Sequence, residues 1–594
     1  MTQAIANPAS TSESNSVSLF YRVAMPQPAS HLFEVTLQLT GWQQDTLELR
    51  MPVWTPGSYL VREYARHVQD FQVEVTDNQE PLNSKKISKN RWHIETASNR
   101  EITIKYRVFA NELTVRTNHL DSTHGYFNGA ATFMYVPGME QQPVNLEIVP
   151  PKDDWRVSTT LEPVEGKANT FTAKDFDTLV DTPVEVGIHE VYKFEALGKP
   201  HQYVVWGQGN LKPKQLIKDT QKIIETEAKI FGGLPYEQYL FLVHLSGSGF
   251  GGLEHKDSTT LNYPRLAFRD RDKYNRFLQL VAHEFFHLWN VKRIRPKELE
   301  TFDYQSENYT TSLWFCEGAT SYYDILIPLR AGIYNRKEFL KNISKDITRY
   351  LTTPGRKVQP LGESSFDAWI KLYRREAHSD NNQISYYLKG QWIAMLLDLT
   401  IREKHQNKKS LDDVMRLLWE RYGKDEIGFP AEELLDLISE VAETDLSDFF
   451  HRYLNTTEEL DFDRYLEPFG LRVKPIKDTH PVPYLGIKVA SESGKETIKF
   501  VEADSPAGIA GIDSGDELLA INGIKATSSN LSDRLKDYQE KDTVTITFFH
   551  QDELMEVQAT LAAPQPNRYE VVQRENLSDS QKQCLAGWLG EVKK

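Results

Sequence analysis

The hydrophobic period of this 594-residue sequence changes twice along the chain, and those changes limit the folds open to it. Up to about residue 195, apolar and polar residues alternate, as from Phe33 to Leu39, which is typical of half-buried β-strands. From about 270 to 455 the period is helical, and strand-like runs return after about 483. The pattern predicts a multidomain α+β protein.

Turn residues and changes of composition set the predicted boundaries of these domains. A Pro-rich hinge at residues 478–483 separates the helical region from the last β block. We predict a flexible tail over 1–17, an all-β N-terminal domain over 18–195, an α-rich domain with a helical extension over 196–475, a small β domain over 483–563 and a C-terminal tail over 564–594.

Composition excludes several classes of protein. Lys and Arg total 69 against 84 Asp and Glu, a net charge of −15, which argues against a nucleic-acid partner. The longest apolar stretch, Trp392 to Leu397, is far shorter than the about 20 residues that span a bilayer. The N-terminus lacks the basic start and apolar core of a signal peptide, and two cysteines cannot form a disulfide framework. We therefore expect a soluble cytoplasmic protein without a membrane partner.

The most informative motif is His283-Glu284-Phe285-Phe286-His287, an HExxH pattern within an apolar helical run. Positions i and i+4 share one face of a helix, so the two imidazoles can bind one metal ion. Glu284 lies beside them, where its carboxylate can take a proton from metal-bound water. The alternative is a helix with two hydrogen-bonded core histidines.

A distant carboxylate favours the metal site over that alternative. Glu317 lies in the apolar run Leu313 to Tyr323, where an unpaired carboxylate would be costly to bury. As a third zinc ligand it would leave one coordination position for water, as catalysis requires. Asp324 is two helical turns further on the same face and could accept a hydrogen bond from a ligating imidazole. Asp324 could equally be a surface residue.

The segments HEFFHLWNVKRIRP and LWFCEGATSYYD resemble the glycyl aminopeptidase family, metallopeptidase family sixty-one of the gluzincin clan. The resemblance extends to MPVWTPGSYLVREYARHVQDF in the N-terminal domain and covers about residues 15 to 565. It implies a thermolysin-like catalytic domain at 196–475 with one Zn²⁺ per chain, bound by His283, His287 and Glu317. It also implies that Glu284 is the general base.

An aminopeptidase must recognise a free α-ammonium group, and Gly251-Gly252-Leu253-Glu254-His255 supplies a candidate. The two glycines let a substrate backbone approach closely, and Glu254 can pair with the ammonium. The segment resembles the GxMEN signature of related aminopeptidases, with Leu253 for Met and His255 for Asn. A Gly-rich turn with a solvated Glu254 is the alternative.

Two further residues are candidates for substrate contacts. The segment from Ser385 to Gly390 resembles the YxKG segment that contains the catalytic tyrosine of the clan, and that resemblance assigns the role to Tyr387. Its phenol stays protonated near pH 7 and can donate to an oxyanion. Tyr386 is the competing tyrosine. Asn128 is a candidate contact to the substrate amine, with a turn residue as the alternative.

The last β block resembles a PDZ domain of the protease type. Its loop Tyr484-Leu485-Gly486-Ile487 resembles a carboxylate-binding loop, and the region from Asp504 to Gly523 matches the rest of the pattern. Successive N–H groups at Leu485, Gly486 and Ile487 could hold a peptide terminus while the peptide adds as a strand. Protein C-termini are therefore candidate partners, although the block could simply pack on the catalytic domain.

Together these features predict a zinc aminopeptidase that acts on peptides with a free N-terminus. The family resemblance implies a preference for N-terminal Gly and then Ala. Two alternatives stay open: an endopeptidase guided by its PDZ domain, and an inactive PDZ interaction scaffold.

Overall fold

A computed structural model describes residues 17–476 and 481–590 of the chain. The predicted tail at 1–17 falls outside the described residues except for Val17, and so do residues 478–480 of the predicted hinge. Within the described part, three core regions correspond to a β-rich N-terminal region, a helical central region and a small β domain. The multidomain α+β class is confirmed.

The N-terminal region is built from antiparallel and mixed sheets with one short helix, α1 (Phe176–Val180). Its strands β1 to β14 are Ser18–Ala24, Leu32–Thr40, Thr46–Arg50, Val68–Val75, Ser84–Ser88, Arg91–Glu95, Glu101–Phe109, His119–Leu120, His124–Phe127, Val144–Val149, Arg156–Ser158, Glu162–Pro163, Thr170–Ala173 and Val184–Gly187. The seven-stranded sheet has the order β12-β13-β10-β1-β2-β7-β4, beside sheets β11-β14-β9-β8 and β3-β6-β5. Alternate residues of β2 and β7 point into one core, as their period of two predicts.

A five-stranded sheet begins the central region. Its strands β15 to β19 are Glu190–Ala196, Lys199–Trp206, Tyr239–Ser246, Gly251–Glu254 and Ser258–Pro264, and their order is β15-β16-β17-β19-β18. Strand β15 pairs with β16, so it belongs to this sheet and not to the N-terminal domain, whose predicted end at residue 195 lies too far along the chain. Strand β18, which contains Glu254, lies at the edge of the sheet.

Helices cover this sheet and form the rest of the central region. Helices α2 to α12 are Pro213–Phe231, Arg271–Phe286, Thr320–Arg330, Arg336–Leu351, Leu361–Phe366, Ser379–Asn382, Tyr386–Lys404, Leu411–Leu418, Ala431–Ala442, Ser447–Phe450 and Phe462–Leu466, followed by strand β20 (Leu471–Pro475). A π-helical turn, Trp314–Ala319, leads directly into α4. Helix α8 is almost wholly buried at the centre of this core.

The small β domain contains strands β21 to β26 and two short helices. The strands are Ile487–Glu492, Lys495–Val501, Glu517–Ile521, Ile524–Lys525, Thr543–His550 and Glu553–Thr560, and the helices α13 and α14 are Pro506–Ile509 and Leu531–Leu535. Asn381 of the central region connects the two parts, because its side chain bonds the carbonyl of Val501 and the N–H of Ala503.

The C-terminal segment differs from the predicted tail at 564–594. Strand β27 (Tyr569–Gln573) pairs with β20, and helix α15 (Asp579–Leu589) packs on the central region. The apolar residues Leu585, Trp588 and Leu589 lie on one helical face, and the indole N–H of Trp588 donates to the Tyr322 hydroxyl at 2.8 Å. The chain therefore returns from the small β domain to complete the helical core.

No helix in the described residues combines the length and hydropathy needed to cross a membrane.

Candidate active site

Helix α3 presents the two histidines of the HExxH motif at its C-terminal end. The Asp270 side chain caps the first turn by accepting from the Lys273 N–H, and the helix continues to Phe286. His283 lies in the last turn and His287 immediately after it, with ring centroids 4.7 Å apart. One helix end therefore directs two imidazoles to the same point.

Glu317 reaches this point from the π-helical turn before α4. Its Oε2 atom lies 3.1 Å from His287 Nε2 and 3.4 Å from His283 Nε2. The turn packs closely on α8, because a Cβ built on Gly318 would lie 2.5 Å from the Cα of Gly390. A π-helical turn changes the direction of its side chains relative to a regular α-helix, and such turns are frequent at functional sites.

The hydrogen bonds of the two imidazoles show which nitrogen atoms are free to bind a cation. His283 Nδ1 donates to Asp324 Oδ2 at 2.9 Å, and His287 Nδ1 donates to the Asn290 carbonyl at 2.8 Å. Each neutral ring then carries a lone pair on Nε2, facing Glu317 Oε2, which is buried without a hydrogen-bond partner. Three lone pairs that converge without a proton between them fit a metal cation with two nitrogen ligands and one oxygen ligand.

Two more carboxylates border this candidate metal centre. Ligand atoms of Glu254, Glu284 and His287 all lie within 4.8 Å of one another. Burial raises the pKa of Glu284, the neighbouring carboxylates raise it further, and the two histidines oppose that shift. A carboxyl group with a raised pKa can both accept and return a proton near neutral pH.

Glycine residues leave the space that these two carboxylates occupy. A Cβ on Gly252 would lie 2.2 Å from the Glu284 carboxyl group, and a Cβ on Gly57 would lie 2.4 Å from Glu254 Oε1. Gly57 also has φ +85°, which L-residues rarely adopt, and it comes from the N-terminal domain. The glycines of β18 and of the N-terminal domain therefore bring backbone up to the two acids, and Gly251 and Gly252 line the cavity.

The structure distinguishes the two candidate tyrosines. Tyr387 lines the cavity with its ring centroid 6.3 Å from that of His283, whereas Tyr386 is fully buried. Burial raises the pKa of the Tyr387 hydroxyl, so it remains a proton donor at neutral pH. The Tyr373 hydroxyl lies 2.8 Å from the Tyr387 hydroxyl and 3.0 Å from that of Tyr386.

Two cavity residues, Tyr373 and Arg116, were missed by sequence reasoning. Arg116 enters from the N-terminal domain and donates from Nη2 to the Gly252 carbonyl at 3.2 Å. Neither residue lies in a motif, and both reach the site only through tertiary packing. No local sequence signal could have identified them.

Asn128 lies elsewhere. It is fully buried, its Oδ1 accepts from the Ala130 N–H in a short turn, and it does not line the cavity. The structure therefore does not bring Asn128 to the other candidate residues, which agrees with the alternative of a turn residue.

In the small β domain, Leu485 is buried and Ile487 begins β21 at the edge of the sheet. Gly486 between them has φ +88° and packs against Ser505, where a Cβ would lie 2.2 Å from the Ser505 Cβ. The loop is therefore held against the start of α13.

Comparisons with known proteins agree with this geometry. Residues 20–188 match the family model of the Peptidase M61 N-terminal domain, 276–393 that of the M61 glycyl aminopeptidase, and 483–561 that of the PDZ domain. The crystal structure of an aminopeptidase N family protein from Idiomarina loihiensis is 32% identical over 96% of this chain and 100% of that chain, with a TM-score of 0.90. No curated protein matches the chain significantly.

More distant solved structures are similar over part of the chain. An M1 zinc metallopeptidase from Deinococcus radiodurans is 12% identical, with a TM-score of 0.47 over 75% of this chain and 95% of that one. Native yeast LTA4 hydrolase is 14% identical, with a TM-score of 0.40 over 79% and 70%.

The fold and the converging ligand set, taken with the M61 match, define a metallopeptidase. More specifically, the chain belongs to the M61 glycyl aminopeptidase family and carries a PDZ domain, as its sequence resemblance predicted.

Proposed function

We propose that the chain is a zinc-dependent aminopeptidase that binds one zinc ion and releases N-terminal Gly, and less readily Ala, from peptides. The observation that carries the proposal is the convergence of His283 Nε2, His287 Nε2 and Glu317 Oε2 beside two further carboxylates. Two imidazoles and one carboxylate are a usual ligand set for catalytic zinc, with a fourth position left for water. The preference for Gly rests on the description of the matched family.

Glu284 is the proposed proton carrier. When bound, zinc supplies a Lewis acid for the scissile carbonyl and lowers the pKa of water. Glu284 accepts a proton from the attacking water and returns it to the leaving amine, and its raised pKa suits both steps.

Tyr387 and Glu254 are proposed to act on the substrate itself. The Tyr387 hydroxyl donates a hydrogen bond to the oxygen that develops negative charge, in a partly buried site where such a bond is strong. Glu254 pairs with the α-ammonium of the substrate and so fixes which peptide bond meets Glu284. Ligand atoms of Glu254 and Glu284 lie within 4.8 Å of each other, a separation that suits a single residue between the ammonium and the scissile bond.

The first test replaces Glu284 with Gln. We expect kcat on Gly p-nitroanilide to fall by about a thousandfold, which is within the range for loss of a general base, while zinc content stays at one per chain. A Glu284→Gln protein with its metal and full activity would contradict the mechanism.

A second test separates the aminopeptidase from the alternatives. A glycyl peptide with a free N-terminus should be cleaved, and its acetylated form should not, because the acetyl group removes the charge that Glu254 would bind. Cleavage of the blocked peptide alone would favour an endopeptidase. Turnover of neither peptide by zinc-loaded protein would favour the inactive scaffold.

A third test uses the space that Gly252 leaves for Glu284. The added methyl group of Gly252→Ala would displace the Glu284 carboxylate, and an about 1 Å misplacement can cost about a hundredfold in rate. Gly247→Ala is the matched control, because its Cβ would meet nothing within 4 Å. Equal rates for the two variants would show that the position of Glu284 is not critical.

For the PDZ domain we propose peptide binding at the loop Leu485, Gly486 and Ile487. Asn381 donates to the Val501 carbonyl and accepts from the Ala503 N–H, and Asp380 pairs with Lys488 at 3.8 Å, so none of these contacts with the central region involves Leu485, Gly486 or Ile487. Binding of fluorescent C-terminal peptides to wild type, but not of their C-terminal amides, is the expected result.

A further inference from the structure

The candidate active-site cavity continues well beyond the metal centre. Its volume is about 740 Å³, and it runs from Glu254 past His283 to a wall formed by α3 and α5. That wall, here called the cationic wall, is defined by five basic residues that line the cavity: Lys273, Arg276, Lys341, Lys345 and Arg349.

All five side chains are exposed, and one of them, Lys341, forms an ion pair within the described residues. Lys341 pairs with Asp272 at 2.7 Å. Among the described residues, Arg276, Lys345 and Arg349 form no ion pair, and Arg276 lies over the Phe250 ring at 4.4 Å from its centroid. In a chain of net charge −15, this is a local excess of positive charge at the wall, whereas the lining at the metal centre is acidic, with Glu254, Glu284, Glu317 and Asp324.

The acidic residues of the same wall do not cancel that excess. Glu338 is occupied in the cap of α5, where it accepts from the Asn335 N–H at 3.0 Å. Burial raises the pKa of Asp346, although Arg349 and Arg276 oppose the shift. Counting Asp272, Glu338 and Asp346 as fully ionised, five cations still exceed three anions.

The position of the wall relative to the metal centre sets which part of a peptide would reach it. Arg276 is seven residues before His283 on α3, which is about 10.5 Å along the helix axis. An extended peptide advances by about 3.4 Å per residue, so that distance corresponds to about three residues. Gln279 and Leu280 also line the cavity, so a peptide with its first residue held at Glu254 would pass them on the way to the wall.

We propose that the cationic wall binds a carboxylate of the substrate near its fourth residue. The carboxylate is either an Asp or Glu side chain of a longer peptide or the terminal α-carboxylate of a tetrapeptide. This inference rests on the proposed function, because it uses Glu254 to set the register.

The test measures binding, so that it does not depend on turnover. Zinc-loaded Glu284→Gln protein is titrated with Gly-Ala-Ala-Glu-Ala-amide and Gly-Ala-Ala-Gln-Ala-amide, and with Gly-Ala-Ala-Ala as free acid and as amide. We expect about fivefold tighter binding of at least one carboxylate peptide at low salt, reduced in about 0.5 M salt. Tighter binding of the Glu peptide in the first pair would identify a side-chain carboxylate as the bound group. Tighter binding of the free acid in the second pair would identify the terminal carboxylate. Equal Kd values within both pairs would overturn the inference.

Variants in the same Glu284→Gln background test the wall itself. Arg276→Gln and Lys345→Gln should each bring the Kd ratio close to one. Lys337→Gln is the matched control, because Lys337 is an exposed cation of α5 outside this cavity, and it should keep the wild-type ratio. A ratio unchanged in all three variants would contradict the assignment to the wall. A carboxylate preference in binding together with a wild type that releases no glycine would refute the proposed function and the register set at Glu254, and would leave only a carboxylate-binding site at the wall.

Discussion

Within the part of the chain that the structure describes, two clusters contain two histidines and one glutamate each, and they differ in which atoms face each other. At the candidate metal centre, both imidazoles turn Nε2 toward a single oxygen of Glu317, at 3.1 and 3.4 Å. Their N–H groups donate away from the cluster, to Asp324 and Asn290. The three atoms that face each other are all hydrogen-bond acceptors. Such a cluster can bind a cation.

The second cluster joins the N-terminal region to the central sheet. His124 Nδ1 lies 2.7 Å from Glu185 Oε1, and His244 Nε2 lies 2.9 Å from Glu185 Oε2. Each imidazole has its own carboxylate oxygen, at the distance of a hydrogen bond. Trp206 stacks on the His124 ring at 3.7 Å. The other ring nitrogen atoms, His124 Nε2 and His244 Nδ1, are buried without a hydrogen-bond partner, so both N–H groups donate to the ionised Glu185 carboxylate and no lone pairs of the imidazoles converge on it.

The comparison of the two clusters shows that residue types alone do not define a metal site. Where the N–H groups point outward, the cluster favours a metal ion, and where they point inward, the cluster binds two parts of the fold together. We therefore expect changes in the first cluster to affect metal and activity, and changes in the second to affect stability.

The largest expected effect comes from Glu317→Ala. Loss of one of three protein ligands should leave less than one zinc per chain and lower kcat/KM by at least about a thousandfold. Metal analysis and hydrolysis of Gly p-nitroanilide measure the two effects. Glu298→Ala, an exposed glutamate of the same region, is the control. A Glu317→Ala protein that still binds one zinc ion tightly would contradict the assignment of the metal site to the first cluster.

Glu185→Gln should act on stability instead. The amide can accept from only one imidazole, so one hydrogen bond to a charged group is lost, at a cost of about 2 kcal/mol in the free energy of unfolding. Urea unfolding measures this cost, with the exposed Glu190→Gln as control. Zinc content should not change. Loss of zinc in Glu185→Gln would mean that the second cluster also holds a metal ion.

The pH dependence of stability also tests the role of Glu185 in stabilising the fold. Burial alone would raise the pKa of Glu185, but His124 and His244 lower it to about 2. Because the unfolded chain binds this proton more readily, the contribution of Glu185 is complete above about pH 4.5 and is lost as pH falls toward 2. The stability advantage of wild type over Glu185→Gln should therefore shrink by about 1.4 kcal/mol per pH unit below pH 4.5. An advantage that is constant from pH 5 to pH 3 would contradict the lowered pKa.

Sequence reasoning predicted the elements of the first cluster and not the second. His283 and His287 are four residues apart on one helix, so the five-residue pattern alone predicts that both side chains lie on the same helix face. His124, Glu185 and His244 come from three strands of two sheets, and only tertiary packing unites them. The same reason explains why Arg116 and Tyr373 were missed, and why Leu585 and Trp588 were assigned to a tail. Their partners lie far away in the sequence.

The smallest expected effect tests the feature that separates the clusters, the outward N–H group. Asn at position 324 still accepts from His283 Nδ1 but without a negative charge, so the imidazole keeps its orientation and loses basicity. Zinc affinity of Asp324→Asn should fall about tenfold, measured by competition with a chromogenic chelator, and the loss of activity should be reversed by excess zinc. Glu185→Gln makes the equivalent change in the second cluster and should leave zinc affinity as it is. If the two variants weaken zinc binding equally, the direction of the N–H groups does not decide which cluster binds the metal.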